Sequence, residues 1–195
     1  MNIEQEISRL QELMPASGRM FCKIFPKSQK EVISTIFPLP WQTGRRPIYI
    51  NFELWRQLST PQRDLLFLRT VALCLGVKWF KWDIERAVAL VALLGFVFQL
   101  SQQDVVGIVV SGILFTFAAK QIWQQNRSLA REIEADAEGV KIALRRGYNE
   151  REATSFLVQA IEKAAELEGR FGLSFVELMR IQNLKKAAQA LETTV

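Results

Sequence analysis

Two apolar runs, Ala87–Leu100 and Val105–Ala119, stand on either side of the polar turn "SQQD". Between Arg86 and Lys120 the only formally charged residue is Asp104, at that turn. A segment this apolar must be buried in protein or in lipid, and that choice constrains everything else the chain can fold into. Each run holds about 14 or 15 residues, short of the ~20 that cross a bilayer comfortably. The flanks favour lipid. Trp79, Phe80 and Trp82 precede the first run and Trp123 follows the second, so a hairpin brings both aromatic groups to one water–lipid boundary as interface anchors. Lys78, Lys81, Arg86, Lys120, Arg127 and Arg131 flank the base, while the turn carries no Lys or Arg. The positive-inside rule then puts both termini and the main domain on the cytoplasmic side. Snorkelling of Arg86 and Lys120 and local thinning relieve the shortness, and Gly95, Gly107, Ser111 and Gly112 allow close helix contact. The expectation is a transmembrane or re-entrant helical hairpin over 84–123. The alternative is a soluble helical regulatory protein in which the hairpin is core.

The remainder reads as one domain of 1–195 into which the hairpin is inserted. At 195 residues with 49% apolar and 23% charged residues, the chain is long enough for a true core and is neither disordered nor disulfide-rich. The net charge of +5 permits contact with anionic lipid. Basic and acidic residues alternate, however, and no nucleic-acid-binding signature is present, so no nucleic-acid partner is expected. Cys22 and Cys74 form no CxxC motif and read as small buried hydrophobes in a reducing compartment. The N-terminal segment is amphipathic and of mixed charge, without the apolar region of a signal peptide.

Periodicity predicts a helix over 3–14, then extended segments at 19–25, 31–41 and 48–51. Pro38 and Pro40 confine the second to an edge or to an irregular continuation. A short helix follows at 52–58. Ser59 or Thr60, with Pro61 in the first turn, opens a helix over 60–77 that is apolar nearly all round and therefore interior. Beyond the hairpin, an amphipathic helix ends at Gly147, a second runs from an Asn149 cap to Gly169, and a third opens at Ser174 with Glu177 as a capping box.

Two stretches carry a resemblance. "IYINFELWRQLSTPQRDLLFLRTVAL" (48–73) and "REIEADAEGVKIALRRGY" (131–148) resemble the HtpX-type membrane zinc metalloproteases. In that family a strand and a short helix lead into an HExxH helix, and a later helix supplies a ligand Glu in an E-x-x-x-D pattern. In an ungapped register Arg69 stands where the first zinc-binding His belongs, Thr70 where the catalytic Glu belongs, and Leu73 where the second His belongs. Glu132 and Asp136 take the E-x-x-x-D positions. The segments "MPASGRMF", "FPLPW", "RPIYINFELW", "PQRDLLFLRTV" and "RRGY" are also similar to an uncharacterised cyanobacterial membrane-protein family. That likeness implies a thylakoid or plasma-membrane location and no assigned activity.

The chemistry gives the departures their meaning. HExxH puts two imidazoles on one helix face to hold zinc, with the Glu between them activating the metal-bound water. This chain has no histidine at all, so no zinc, other metal or cofactor is expected. The resemblance suggests that Arg69 enters the vacated zinc position and pairs with Glu132, one cation replacing another. The plainer reading makes Glu132, Glu134, Asp136 and Glu138 a solvated helix face paired with Arg131 and Lys141.

The expected fold is α+β and mostly helical: a degenerate metalloprotease-like domain with a small N-terminal sheet and the inserted hairpin. The expected function is non-catalytic, that of a membrane-anchored scaffold or assembly factor for membrane protein complexes, photosynthetic ones among them. An extended peptide would add at an edge strand near Ile48–Asn51. The competing class is an enzyme with a non-zinc site built from Glu132, Asp136 and Arg69.

Overall fold

The computed structural model describes residues 2–36, 44–76 and 129–192, together with positions 112, 113, 116 and 120. The chain divides into two compact units. One comprises Met1–Val77 and Glu132–Val195, the other Lys78–Arg131. Almost all of the second unit, including Trp79, Phe80, Trp82, Trp123 and most of the 84–123 hairpin, lies outside the described residues. Positions 112, 113, 116 and 120 are helical. Among the described residues no helix is long and apolar enough to cross a membrane.

The first unit is α+β and mostly helical. Helices α1 (Ile3–Leu13) and α2 (Ala16–Phe21) precede strands β1 (Cys22–Pro26), β2 (Ile33–Thr35) and β3 (Arg46–Ile50). Then come α3 (Phe52–Trp55), α4 (Thr60–Gly76), α5 (Leu129–Leu144), α6 (Glu150–Leu167) and α7 (Phe175–Glu192). The sheet order is β1-β3-β2. β1 runs parallel to β3, from Cys22 opposite Arg46 to Pro26 opposite Ile50. β2 is antiparallel to β3, with Ser34 opposite Tyr49.

Two expectations need correction. The strand expected over 19–25 begins only at Cys22, because residues 16–21 are helical. Pro15 caps that turn, and Gly18 lets it pack directly on Val71 of α4, so a tertiary contact overrides a short alternation. The segment near Ile48–Asn51 is not an edge. β3 is the central strand, with Ile48 and Ile50 fully buried. Its alternation reflects one buried face, and that pattern cannot tell a central strand from an edge. Edge positions fall to β1 and β2, β2 being the segment that the prolines assigned to an edge.

α4 is the central element, as its all-round apolarity requires. Leu66, Phe67, Val71 and Cys74 join Leu10, Trp55, Ile48 and Ile50 in a core beneath the sheet. Leu65 and Leu68 join Val140, Leu157, Ile161, Ile181 and Leu184 in a second core among the C-terminal helices. Polar clamps fix the N-terminal elements around it. Buried Glu6 accepts from Arg9, Arg63 and the indole N–H of Trp55, the last at 3.1 Å. Arg9 reaches Asp64 at 2.6 Å. The "RRGY" segment supplies the closing joint. Arg146 donates to the carbonyls of Leu13 and Met14 at the end of α1. Gly147 takes a positive φ of 94°, a conformation open to glycine at little cost, and Tyr148 then donates to Asp64 at 2.7 Å.

The caps of the C-terminal helices are those expected. The Asn149 side chain accepts from the Arg151 amide. At α7 the Ser174 hydroxyl accepts from the Glu177 amide at 3.3 Å, and the Ser174 amide donates to the Glu177 carboxylate at 2.8 Å. Arg170 adds two bonds of 2.7 Å to that carboxylate. Burial opposes ionisation of Glu177, but the bonds from Arg170 and Ser174 prevail and hold its carboxyl down to about 2. A depressed carboxyl contributes stability that is present above its ordinary pKa and lost as pH falls through the folded value. Glu177→Gln is therefore expected to cost about 1 kcal/mol at neutral pH. The gap to wild type should shrink from about pH 5 to about pH 2. Urea midpoints of both proteins across that range check this, and a gap independent of pH would contradict it.

Candidate functional site

The site forms where α4, α5 and α7 meet. Arg69, on α4, places its guanidinium against two carboxylates of α5. Its Nη2 meets Glu132, and its Nε donates to Asp136 at 3.1 Å. The spacing of the carboxylates produces this arrangement. Positions 132 and 136 are one turn apart and so share a helix face. That face turns toward α4, leaving Glu134 and Glu138 exposed. The solvated-face reading thus holds for Glu134 and for Glu138, which pairs with Lys141, while the pairing of Arg69 with Glu132 is present.

A third helix completes the cluster with a residue that the sequence reading did not single out. Arg180 of α7 grips Asp136 with two bonds, Nε to Oδ2 and Nη2 to Oδ1, each 2.7 Å. Asp136 and Arg180 are buried, their side chains 2% and 8% exposed, while Glu132 remains 29% exposed. Burial and the neighbouring charge of Arg180 pull Arg69 down to about 10, with Asp136 acting in the opposite direction. Arg69 still carries its charge at neutral pH. The only signal for Arg180 is an arginine set between the apolar residues Met179 and Ile181, and its partner lies 44 residues away.

The other two positions offer no replacement chemistry. Thr70 is buried and its hydroxyl donates to the Leu66 carbonyl at 2.8 Å, a bond within the helix. Leu73 contributes an apolar side chain to the wall of a cavity of about 560 Å³. Arg69, Thr70, Glu132 and Arg180 line the same cavity, together with Ile33, Ser34 and Thr35 of the edge strand β2. Among the described residues no group of three or more His, Cys, Asp or Glu side chains is placed to hold a metal ion. The donor set agrees, because both carboxylates of the E-x-x-x-D pair already bind guanidinium groups.

A family model for proteins of unknown function, DUF3318, matches residues 8–148. The chain belongs to the DUF3318 family. The matched segment runs from α1 to Tyr148 and contains Arg69, Glu132 and Asp136, whereas Arg180 comes from beyond it. In this DUF3318 protein the match therefore ends on the joint that Tyr148 makes with Asp64. No curated protein and no solved structure matches the chain.

Proposed function

We propose that this DUF3318 protein is a non-catalytic, metalloprotease-like scaffold. It is anchored in a thylakoid or plasma membrane by the 84–123 hairpin, with both termini on the cytoplasmic side, and it binds components of membrane protein complexes, photosynthetic ones among them. The observation that carries this reading is the Arg69 guanidinium lying against Glu132 and Asp136. The two carboxylates that resemble a zinc-ligand helix are neutralised by protein cations, and the chain has no histidine to complete a catalytic zinc site. Binding and cleavage use different residues, so a cleft can keep its hold on peptide after its chemistry is lost. The cavity beside the cluster, bounded by the edge strand β2, is where an extended peptide would add as a further strand.

The test uses tagged full-length protein recovered from native membranes. Retention after alkaline carbonate washing, followed by stoichiometric co-purification of a membrane protein in mild detergent, is the expected result. Ser34→Lys, which puts a charge on the cavity wall, should weaken that capture. Complete release by carbonate overturns the membrane anchor. Recovery without a partner overturns the scaffold role, and peptide hydrolysis that needs added zinc overturns the loss of catalysis.

A further inference from the structure

The charge of this chain is unevenly placed. Residues 15–51 hold six basic residues and one acidic residue, Glu31, a net +5 that equals the charge of the whole chain, so the remaining residues balance to zero. That segment builds α2 and the three strands, and the strand register gathers part of it at one end of the sheet. β1 runs parallel to β3 with Cys22 opposite Arg46, and β2 runs antiparallel to β3 with Thr35 opposite Ile48. The starts of β1 and β3 and the finish of β2 therefore share one end. Arg19, Met20 and Phe21 precede β1 there, Arg45 precedes β3, and Ile36 follows β2. Glu31 precedes β2 and falls at the opposite end.

This rim combines two properties. Met20, Phe21 and Ile36 are large apolar side chains, each more than half exposed. Arg19, Lys23 and Arg45 are exposed, and none of the three pairs with a carboxylate among the described residues. Arg9, Arg63, Arg69, Arg170 and Arg180, by contrast, each hold one. The same end of the sheet lies against the last turn of α4. Arg46 donates to the Cys74 carbonyl, and the Thr35 hydroxyl contacts the Cys74 sulfur at 3.1 Å. α4 finishes at Gly76, and in sequence "KWFKW" (78–82) and the two apolar runs follow at once.

We propose that this rim is a membrane-contact surface of the domain itself: Met20, Phe21 and Ile36 enter the headgroup layer of an anionic bilayer while Arg19, Lys23 and Arg45 face its lipid phosphates. The choice of lipid as occupant rests on the reading of 84–123 as a membrane hairpin, because the chain leaves α4 for that segment beside the rim. Exposed apolar side chains interleaved with cations suit a water–lipid interface, where the apolar groups leave water and the charges meet phosphate. Each basic side chain near an anionic surface strengthens the contact roughly fivefold, and the attraction fades with added salt. A nucleic acid suits the sheet less well, because it binds by stacking bases on open aromatic faces. Here Lys23 Nζ lies 5.1 Å from the Phe25 ring centre and Lys27 Nζ lies 4.7 Å from that of Tyr49.

The experiment places the full chain in nanodiscs of phosphatidylcholine alone or mixed with phosphatidylglycerol. A nitroxide label is attached at Met20→Cys, Phe21→Cys or Ile36→Cys, with Ser28→Cys at the far end of the sheet as control. Native Cys22 and Cys74 are buried, and the wild type treated with the same reagent corrects for any label they take. Collisions with oxygen, which partitions into lipid, and with a water-soluble nickel complex report where each label sits. In anionic discs the three rim labels should lose nickel contact and gain oxygen contact, while the Ser28 label stays in water. High salt, or Arg19→Glu with Arg45→Glu, should reverse the shift at Met20. The unmodified wild type gives a second reading: acetylation of Lys23 relative to Lys30 should slow about fivefold in anionic discs. Rim labels as wet as Ser28 in anionic discs, an unchanged Lys23 rate, or protection by added single-stranded RNA and not by anionic lipid would each overturn the proposal. Failure of the hairpin reading looks different: the chain then elutes apart from neutral discs, while salt-sensitive lipid contact of the rim labels in anionic discs still supports the rim.

Discussion

Replacing Asp136 by alanine is expected to destabilise the protein by about 3–5 kcal/mol, the cost of stranding buried charge. Asp136 is 2% exposed and accepts from two guanidinium groups, two bonds from Arg180 and one from Arg69. Its removal leaves two cations facing each other, and Arg180, only 8% exposed, gains no solvent in exchange. The loss should appear as a fall in the urea midpoint of the full chain in detergent at an unchanged slope. Glu138→Ala is the control. Glu138 is 52% exposed and pairs with an exposed lysine, so its loss should stay within about 0.5 kcal/mol. Equal effects at the two positions would show that the cluster contributes no more than surface charge. A further variant separates charge from packing: Asp136→Leu with Arg69→Met and Arg180→Met should recover much of the stability, because apolar side chains of similar volume can replace buried ions.

The second large effect concerns a residue with no side chain. Gly139 sits in α5, where glycine costs about 1 kcal/mol relative to alanine in an exposed helix interior. Gly139→Ala should nonetheless destabilise by about 1–3 kcal/mol. A Cβ built there would lie 2.8 Å from the Arg69 Cα and 2.9 Å from its amide nitrogen. Those are backbone atoms in the middle of a buried helix and cannot turn aside, so α5 must move off α4. That movement also draws Glu132 and Asp136, on the same helix, away from Arg69. The sign of the change is the test, read by thermal unfolding: alanine raising the midpoint would mean that the helices do not touch there.

The two predictions expose different depths of legibility. The presence of Glu132 and Asp136 on one face follows from their spacing, and the pairing of Arg69 with Glu132 follows from a register carried by resemblance. Arg180 was not legible, because nothing near it in sequence indicates that α7 crosses α5 at Asp136. Gly139 could be read as an unfavourable helix residue, but not as the point where two backbones meet. The caps at Asn149 and at Ser174 with Glu177 were legible because each joins groups within three residues, whatever surrounds them.

The sequence by itself determined the mostly helical α+β class, the central place of α4, the caps and the absence of imidazole ligands. These depend on composition, on apolar period and on contacts within one helical turn. Only the tertiary structure decided that β3 is central, that residues 16–21 are helical rather than extended, and that Arg180 closes the charge cluster. Each of these joins segments far apart in the chain. Such pairings are selected by the burial of whole helix and sheet faces, a sum over many residues that no short stretch encodes.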